Sequence, residues 1–256
     1  MQASELFDVS EEIVLVTGAA SGIGYSIARI LAENGARVFL IDIDAPALAS
    51  AEKRLEGLSG KATGIVTDVR DDAALCDVFD QVEATAGCVS VLVNNAGIVQ
   101  RAKASRMTRE TFRTILDVNV ESAFRAAQEA ANRLIKAERG GSIINVSSIL
   151  GSMPVKQVMA YGASKAALSQ MTRSLALEWG RHAIRVNEIR PGWFETRLTG
   201  GIFGGTGRDI LAGQTPLRRL GEESDIDGAV LFLASRASSF VTGSAITIDG
   251  GHSLGR

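Results

Sequence analysis

About seven short apolar runs, spaced along the chain and rich in β-branched residues, constrain the fold more than any other feature. They fall at residues 13–16, 38–41, 63–66, 89–93, 143–146, 184–187 and 245–248. They do not alternate apolar with polar, which is the pattern of strands covered on both faces. Longer stretches of helical spacing lie between them. Ile23, Ile27, Ile30 and Leu31, for example, would lay one apolar stripe against a sheet. Repeated strand-then-helix order implies a parallel sheet joined by right-handed crossovers, flanked by helices. No linker or shift of composition divides the 256 residues, so the expectation is one α/β domain, 1–256, with its halves meeting near residue 145.

The first run leads straight into Thr17-Gly18-Ala19-Ala20-Ser21-Gly22-Ile23-Gly24, which opens the first long helical stretch. Exposed backbone amides and a helix dipole at such a turn suit a pyrophosphate, and glycine lets it approach closely. Tight strand-to-helix turns also use glycine for steric reasons alone. Asp42 ends the second run, about 20 residues on, where a carboxylate can accept hydrogen bonds from an adenosine ribose. It would repel a 2′-phosphate, and no Arg or Lys lies within 19–21 or next to Asp42 in sequence. The pattern therefore reads as a doubly wound, Rossmann-type dinucleotide site that takes NAD. Asp42 could instead help cap the next helix, although Asp44, ahead of Ala45-Pro46, is the natural cap. Asp68-Val69 and Asn94-Asn95-Ala96-Gly97 follow the third and fourth runs on the same carboxyl edge, where open parallel sheets bind ligands. Plain turn chemistry would also explain them.

Tyr161 and Lys165 stand four residues apart at the start of a long striped segment, so both would project from one helical face. A phenol with pKa of about 10 is a poor base near neutrality, but an adjacent cation stabilises its phenolate. Elsewhere such a pair would be an ordinary solvated one. Here the wider pattern decides: Thr17-Gly-x-x-x-Gly-x-Gly24, Asn94-Asn-Ala-Gly97, Asn119, Ser148, Tyr161-x-x-x-Lys165, Pro191-Gly192, Val241-Thr-Gly243 and Asp249-Gly-Gly251. In order and spacing the chain resembles the short-chain dehydrogenase/reductase family from about residue 12 to 251.

The resemblance implies roles. Tyr161 is expected to be the general acid/base, Lys165 to lower its pKa and hold the nicotinamide ribose, Ser148 to hydrogen-bond the substrate oxygen, and Asn119 to hold a water behind the lysine. Gly18, Ser21, Gly22, Ile23, Gly24, Asp42, Ile43, Asp68, Val69, Asn95, Ala96 and Gly97 would bind the cofactor. Pro191, Gly192, Phe194 and Thr196 would grip its nicotinamide end. Leu150, Met153, Val155, Val158, Trp193 and Phe203 would join Ser148 in lining a pocket for a secondary alcohol or partly apolar polyol. The glycine-rich stretch 197–215 could be a lid or only a surface loop. Relatives are usually tetramers, so a homotetramer is expected, built on residues 108–137, 161–179 and the C-terminal stretch.

Two features depart from the family. Members that reduce acyl-carrier intermediates with NADPH typically carry a basic residue where Ser21 stands, which argues against a 3-oxoacyl thioester reductase. Glu188 and Arg190 occupy positions where small residues are usual. Two apart on a strand, they share a face and would neutralise each other, or Arg190 could receive an anionic substrate group. A non-catalytic NAD sensor would be expected to lose Tyr161, Lys165 or Ser148, and all three are present.

Composition narrows the partners. Lys and Arg total 27 against 29 Asp and Glu, which gives no electrostatic footprint for nucleic acid or an anionic membrane. No apolar run approaches the roughly 20 residues of a spanning helix, and the N-terminus lacks a signal pattern. The expectation is a cytoplasmic protein. Cys76 and Cys88 show no CxxC spacing, and His182 and His252 lie far apart, so no metal is expected.

Overall fold

The computed structural model describes residues 2–195 and 207–255. Its strands are Ile13–Thr17 (β1), Arg37–Asp42 (β2), Lys61–Val66 (β3), Val91–Asn94 (β4), Gly141–Val146 (β5), Ile184–Pro191 (β6) and Ala245–Ile248 (β7). All are parallel neighbours in one sheet of order β3-β2-β1-β4-β5-β6-β7. The reversal of direction between β1 and β4 makes this a doubly wound, Rossmann-type sheet and opens a crevice at its carboxyl edge.

The helices among the described residues are Ala3–Leu6 (α1), Gly22–Glu33 (α2), Ala45–Arg54 (α3), Asp72–Thr85 (α4), Arg109–Leu116 (α5), Ser122–Lys136 (α6), Met159–Trp179 (α7), Gly207–Gln214 (α8) and Asp227–Ala234 (α9). Because successive strand residues point to opposite faces, the strands feed two cores. Val14, Val16, Val38 and Leu40 pack with Ile27 and Leu31 of α2 and Leu233 of α9. Leu15, Phe39, Ile41 and Leu92 pack on the other side with Phe79 and Val82 of α4 and Leu134 of α6.

The central strands are buried on both faces as their composition predicts, but β3 and β7 are only partly covered. They are the edges of the sheet, a position that apolar content alone does not reveal. The sixth run extends to Pro191, four residues further than its apolar core implies, because Glu188 and Arg190 remain in register with Ala245 and Thr247. Part of the expected 197–215 loop is helical, since 207–214 forms α8; residues 196–206 lie outside the described residues. Cys76 and Cys88 are free thiols, both partly buried.

Candidate active site

The glycine turn is held by close approach. Gly18 has φ +64°, and a Cβ there would lie 2.9 Å from Ala96 Cα; one on Gly24 would lie 2.2 Å from the Gly18 carbonyl oxygen. The first turn of α2 therefore rests directly on the turn that precedes it. Thr17 Oγ1 accepts from the amides of Asn95 and Ala96, both at 3.0 Å, and Asn95 Nδ2 donates to the carbonyls of Thr17 (3.0 Å) and Gly18 (2.9 Å). Asn95 thus buckles the ends of β1 and β4 together. Ser21 caps α2 without a side-chain hydrogen bond, and the amides of Gly22, Ile23 and Gly24 have no protein acceptor among the described residues. A row of open amides at a helix N-terminus fits a pyrophosphate.

Asp42 closes the adenosine side. Its Oδ2 accepts from the Ala20 amide at 3.0 Å and its Oδ1 from the Asp44 amide at 3.1 Å. The cap of α3 is Asp44, whose Oδ1 takes the Ala47 amide at 3.1 Å. Each oxygen of Asp42 retains acceptor capacity on the cleft it lines. The structure adds a cation that proximity in sequence hides: Arg70 lines the same cleft. Asp68 engages it, Nη2 to Oδ2 at 2.5 Å, and that hydrogen bond lowers the Asp68 pKa.

One cleft of about 770 Å³ runs from Gly18, Ser21 and Asp42 to Ser148, Tyr161 and Lys165. Ile23, Ile43, Val69, Gly97, Pro191, Gly192 and Phe194 also line it. The last three reach it because β6 pairs with β7 and the Gly192 amide donates to Ile248 O at 2.9 Å. Lys165 is 3% exposed and donates to the Val146 carbonyl at 2.8 Å. Burial pushes its pKa down to about 8, with the charge of Glu188 opposing the shift. Its Nζ lies 5.6 Å from the Tyr161 ring centroid.

Desolvation of Tyr161 works against the lowering expected from Lys165. Burial dominates and raises the phenol above its ordinary value, and the opposing influence is a hydrogen bond from Ser148. Ser148 Oγ also accepts from the Leu150 amide at 3.1 Å. Neighbouring Ser147 is turned to the carbonyl of Ile189, at 3.2 Å.

Asn119 sits in a single π-helical turn, Asp117–Glu121, between α5 and α6. Such bulges commonly mark functional positions. Its Oδ1 accepts from the Ile98 amide at 2.8 Å, and its Nδ2 donates to Ile98 O and to Ser164 Oγ, both at 3.0 Å. Ser164 in turn donates to Tyr161 O at 2.7 Å. The Asn119 side chain is therefore engaged in tying the segment after Gly97 to α7. Gly97 fits between Asn119 and Lys165, whose Oδ1 and Nζ would lie 3.3 and 3.5 Å from a Cβ there.

The outer pocket differs from the expectation. Among the described residues Leu150, Met153, Val155, Val158 and Trp193 do not line the cleft; Met153 and Val158 are buried. Trp193 lines a separate cavity of about 120 Å³ and donates its indole N–H to His252 Nε2 at 3.0 Å. Thr196 and Phe203 lie outside the described residues. The wall is instead made by Ile98, Val99, Thr114 and Val118. The spacing of Thr114 and Val118 would have put both on one helical face.

Glu188 and Arg190 do pair, Oε1 to Nη2 at 2.5 Å. Glu188 is 2% exposed, and its Oε2 takes the hydroxyl of Ser169 at 2.7 Å. Arg190 does not line the cleft, so it is not placed to receive a substrate anion. No group of three or more His, Cys, Asp or Glu among the described residues could hold a metal ion, and no described helix is long and apolar enough to cross a membrane.

The family profile described as Enoyl-(Acyl carrier protein) reductase matches residues 18–253. The chain is 36% identical over 252 residues to a gluconate 5-dehydrogenase of Gluconobacter oxydans, covering 98% of each. It is 39% identical to a 3-oxoacyl-[acyl-carrier-protein] reductase of Thermotoga maritima, over 94% of this chain and 97% of the relative. Identity to a galactitol 2-dehydrogenase of Cereibacter sphaeroides is 38%, over 99% and 100%. The crystal structure of a gluconate 5-dehydrogenase from Burkholderia cenocepacia, in complex with NADP and tartrate, superposes with a TM-score of 0.93 at 33% identity, covering 99% of both chains. With its sheet, glycine turn and Tyr161–Lys165 pair, the chain belongs to the short-chain dehydrogenase/reductase family and is an oxidoreductase acting on CH–OH groups.

Proposed function

We propose that this chain is an NAD(H)-dependent dehydrogenase that interconverts a secondary alcohol of a polyol or sugar acid and its ketone. The observation that carries the reading is the continuity of the cleft, which joins the open amides of α2 and Asp42 to Ser148, Tyr161 and Lys165 in one cavity. The gluconate and galactitol relatives support the substrate class.

When bound, the nicotinamide supplies a hydride acceptor, or in reduction a donor, at the substrate carbon. The amides of Gly22, Ile23 and Gly24 would hold its pyrophosphate, and Pro191 and Gly192 its carboxamide end. Tyr161 takes the alcohol proton at its phenol oxygen in oxidation and returns it in reduction. Ser148 hydrogen-bonds the same oxygen and steadies its developing charge. Lys165, anchored on Val146, places an ammonium beside the phenol so that the phenolate forms in a buried site. Asn119 positions α7 through Ser164.

Asp42 favours NAD, because a 2′-phosphate would meet a carboxylate whose two oxygens are already fixed by amides. Arg70 does not reverse this, being held by Asp68. Exposed Phe240, Leu177 and Leu254 support assembly as a homotetramer acting on a small-molecule alcohol or ketone. Following NADH absorbance over a panel of polyols, aldonates and hydroxysteroids, with NADP in parallel, tests the reading. Turnover with NAD at least tenfold more efficient than with NADP is expected, and no turnover of any secondary alcohol would overturn it.

A further inference from the structure

The segment leaving Gly97 builds one side of the cleft at its catalytic end, where Ile98 and Val99 line the cavity and Thr114 and Val118 line it again. Between these contacts, residues 100–113 carry five cations, Arg101, Lys103, Arg106, Arg109 and Arg113, against one carboxylate, Glu110. The chain as a whole has net charge −2. The Ala102 amide donates to Gln157 O at 2.9 Å, which lays Arg101 and Lys103 beside Lys156, on the loop that follows Ser148. All six cations are exposed, and none forms an ion pair or side-chain hydrogen bond among the described residues. Seven other described arginines are neutralised. Arg29, Arg70, Arg125, Arg133, Arg190, Arg208 and Arg219 each hold a carboxylate.

Unpaired like charges repel one another, and a cluster of them beside a cleft focuses a field that concentrates anions. Arg190 cannot be the source of such a field, since Glu188 neutralises it. Glu195, four residues past Pro191, is likewise closed by Arg208 at 2.7 Å. Among the described residues, unpaired positive charge beside the catalytic end is supplied by the rim formed by residues 101–106 and Lys156.

We infer that this rim selects anionic alcohols: the substrate carries a carboxylate or phosphate beyond the carbon that is oxidised, and Arg101, Lys103 and Lys156 attract it. This rests on the dehydrogenase reading and narrows its substrate class. D-Gluconate, 6-phospho-D-gluconate and D-glucitol share a six-carbon chain and differ in charge, so they separate the possibilities. For the two acids, kcat/KM should fall about tenfold between 20 and 300 mM NaCl, and KM should rise about tenfold in Arg101→Glu/Lys103→Glu with kcat within about twofold. D-Glucitol should change less than about twofold in both tests. A larger loss for the phosphorylated acid assigns the rim to a phosphate, and equal losses assign it to a carboxylate. Equal losses for acids and glucitol, or none for either, would overturn the inference. If none of the three is turned over, that choice of dehydrogenase substrate fails. The rim is then read by thermal shift of the NAD-loaded protein. Stabilisation by gluconate above glucitol that disappears in the double variant supports it, and equal stabilisation refutes it.

Discussion

The ammonium of Lys165 on α7 donates to the carbonyl of Val146, the last residue of β5, at 2.8 Å. The lysine is thereby fixed to the strand that runs on into Ser148, and the catalytic helix and the serine loop share one anchor. The contact is made in a buried place, where the ammonium loses its water and its pKa drops to about 8. A charge held at such a cost has measurable consequences.

Lys165→Met should stabilise the fold while disabling it. The folded protein holds the Lys165 proton less tightly than the unfolded chain, so the cost is fully present below pH 8 and is relieved as pH rises from about 8 towards 10.4, the unperturbed lysine value. After allowance for the lost Val146 hydrogen bond, the variant should gain on the order of 1–2 kcal/mol at pH 7, and the gain should shrink by pH 10. Urea unfolding at both pH values checks this. A clear loss at pH 7 would contradict it. Alcohol oxidation should fall by about 100-fold or more.

Glu188 sits behind that lysine, and its charge is the influence that opposes the downward shift. Glu188→Gln keeps an acceptor for Ser169 and removes the charge. The Lys165 pKa should then fall further, so the alkaline limb of kcat/KM for oxidation should move to lower pH, with kcat at pH 7 little altered. An unmoved limb would show that Glu188 acts only in packing. Arg190, which is left without its partner, is partly exposed and can be solvated.

Removing the charge of Asp42 should broaden the cofactor range. Asp42→Asn retains an acceptor for the Ala20 amide, so the turn should persist, while the repulsion of a 2′-phosphate is gone. We expect the NADP/NAD ratio of kcat/KM to rise about tenfold or more, equivalent to roughly 1.4 kcal/mol. An unchanged ratio would mean that another residue reads the ribose.

At Gly24 the constraint is steric. A methyl group 2.2 Å from the Gly18 carbonyl oxygen forces α2 away from the turn. Gly24→Ala should cost roughly 1–3 kcal/mol in denaturant unfolding and weaken NADH binding about tenfold or more, as read by NADH fluorescence.

Much of this was legible in the sequence because parallel strands buried on both faces must be continuous apolar runs, and the glycine turn and Tyr161–Lys165 pair are local spacings. The less legible features depend on tertiary encounter. Arg70 reaches the cleft only because β3 lies beside β2, and Trp193 turns to His252 across 59 residues. Asn119 was identifiable by position, but the π turn that buries it leaves no compositional mark. Four-residue spacing indicates a cation near Tyr161 and says nothing of desolvation, which is the larger influence on its pKa.

The most direct test of the central claim compares wild type with Tyr161→Phe for oxidation of a secondary alcohol by NAD, with NADH affinity measured alongside. The account predicts a fall in kcat of about 10²–10⁴-fold with affinity for NADH essentially retained. Turnover within about tenfold of wild type would contradict it.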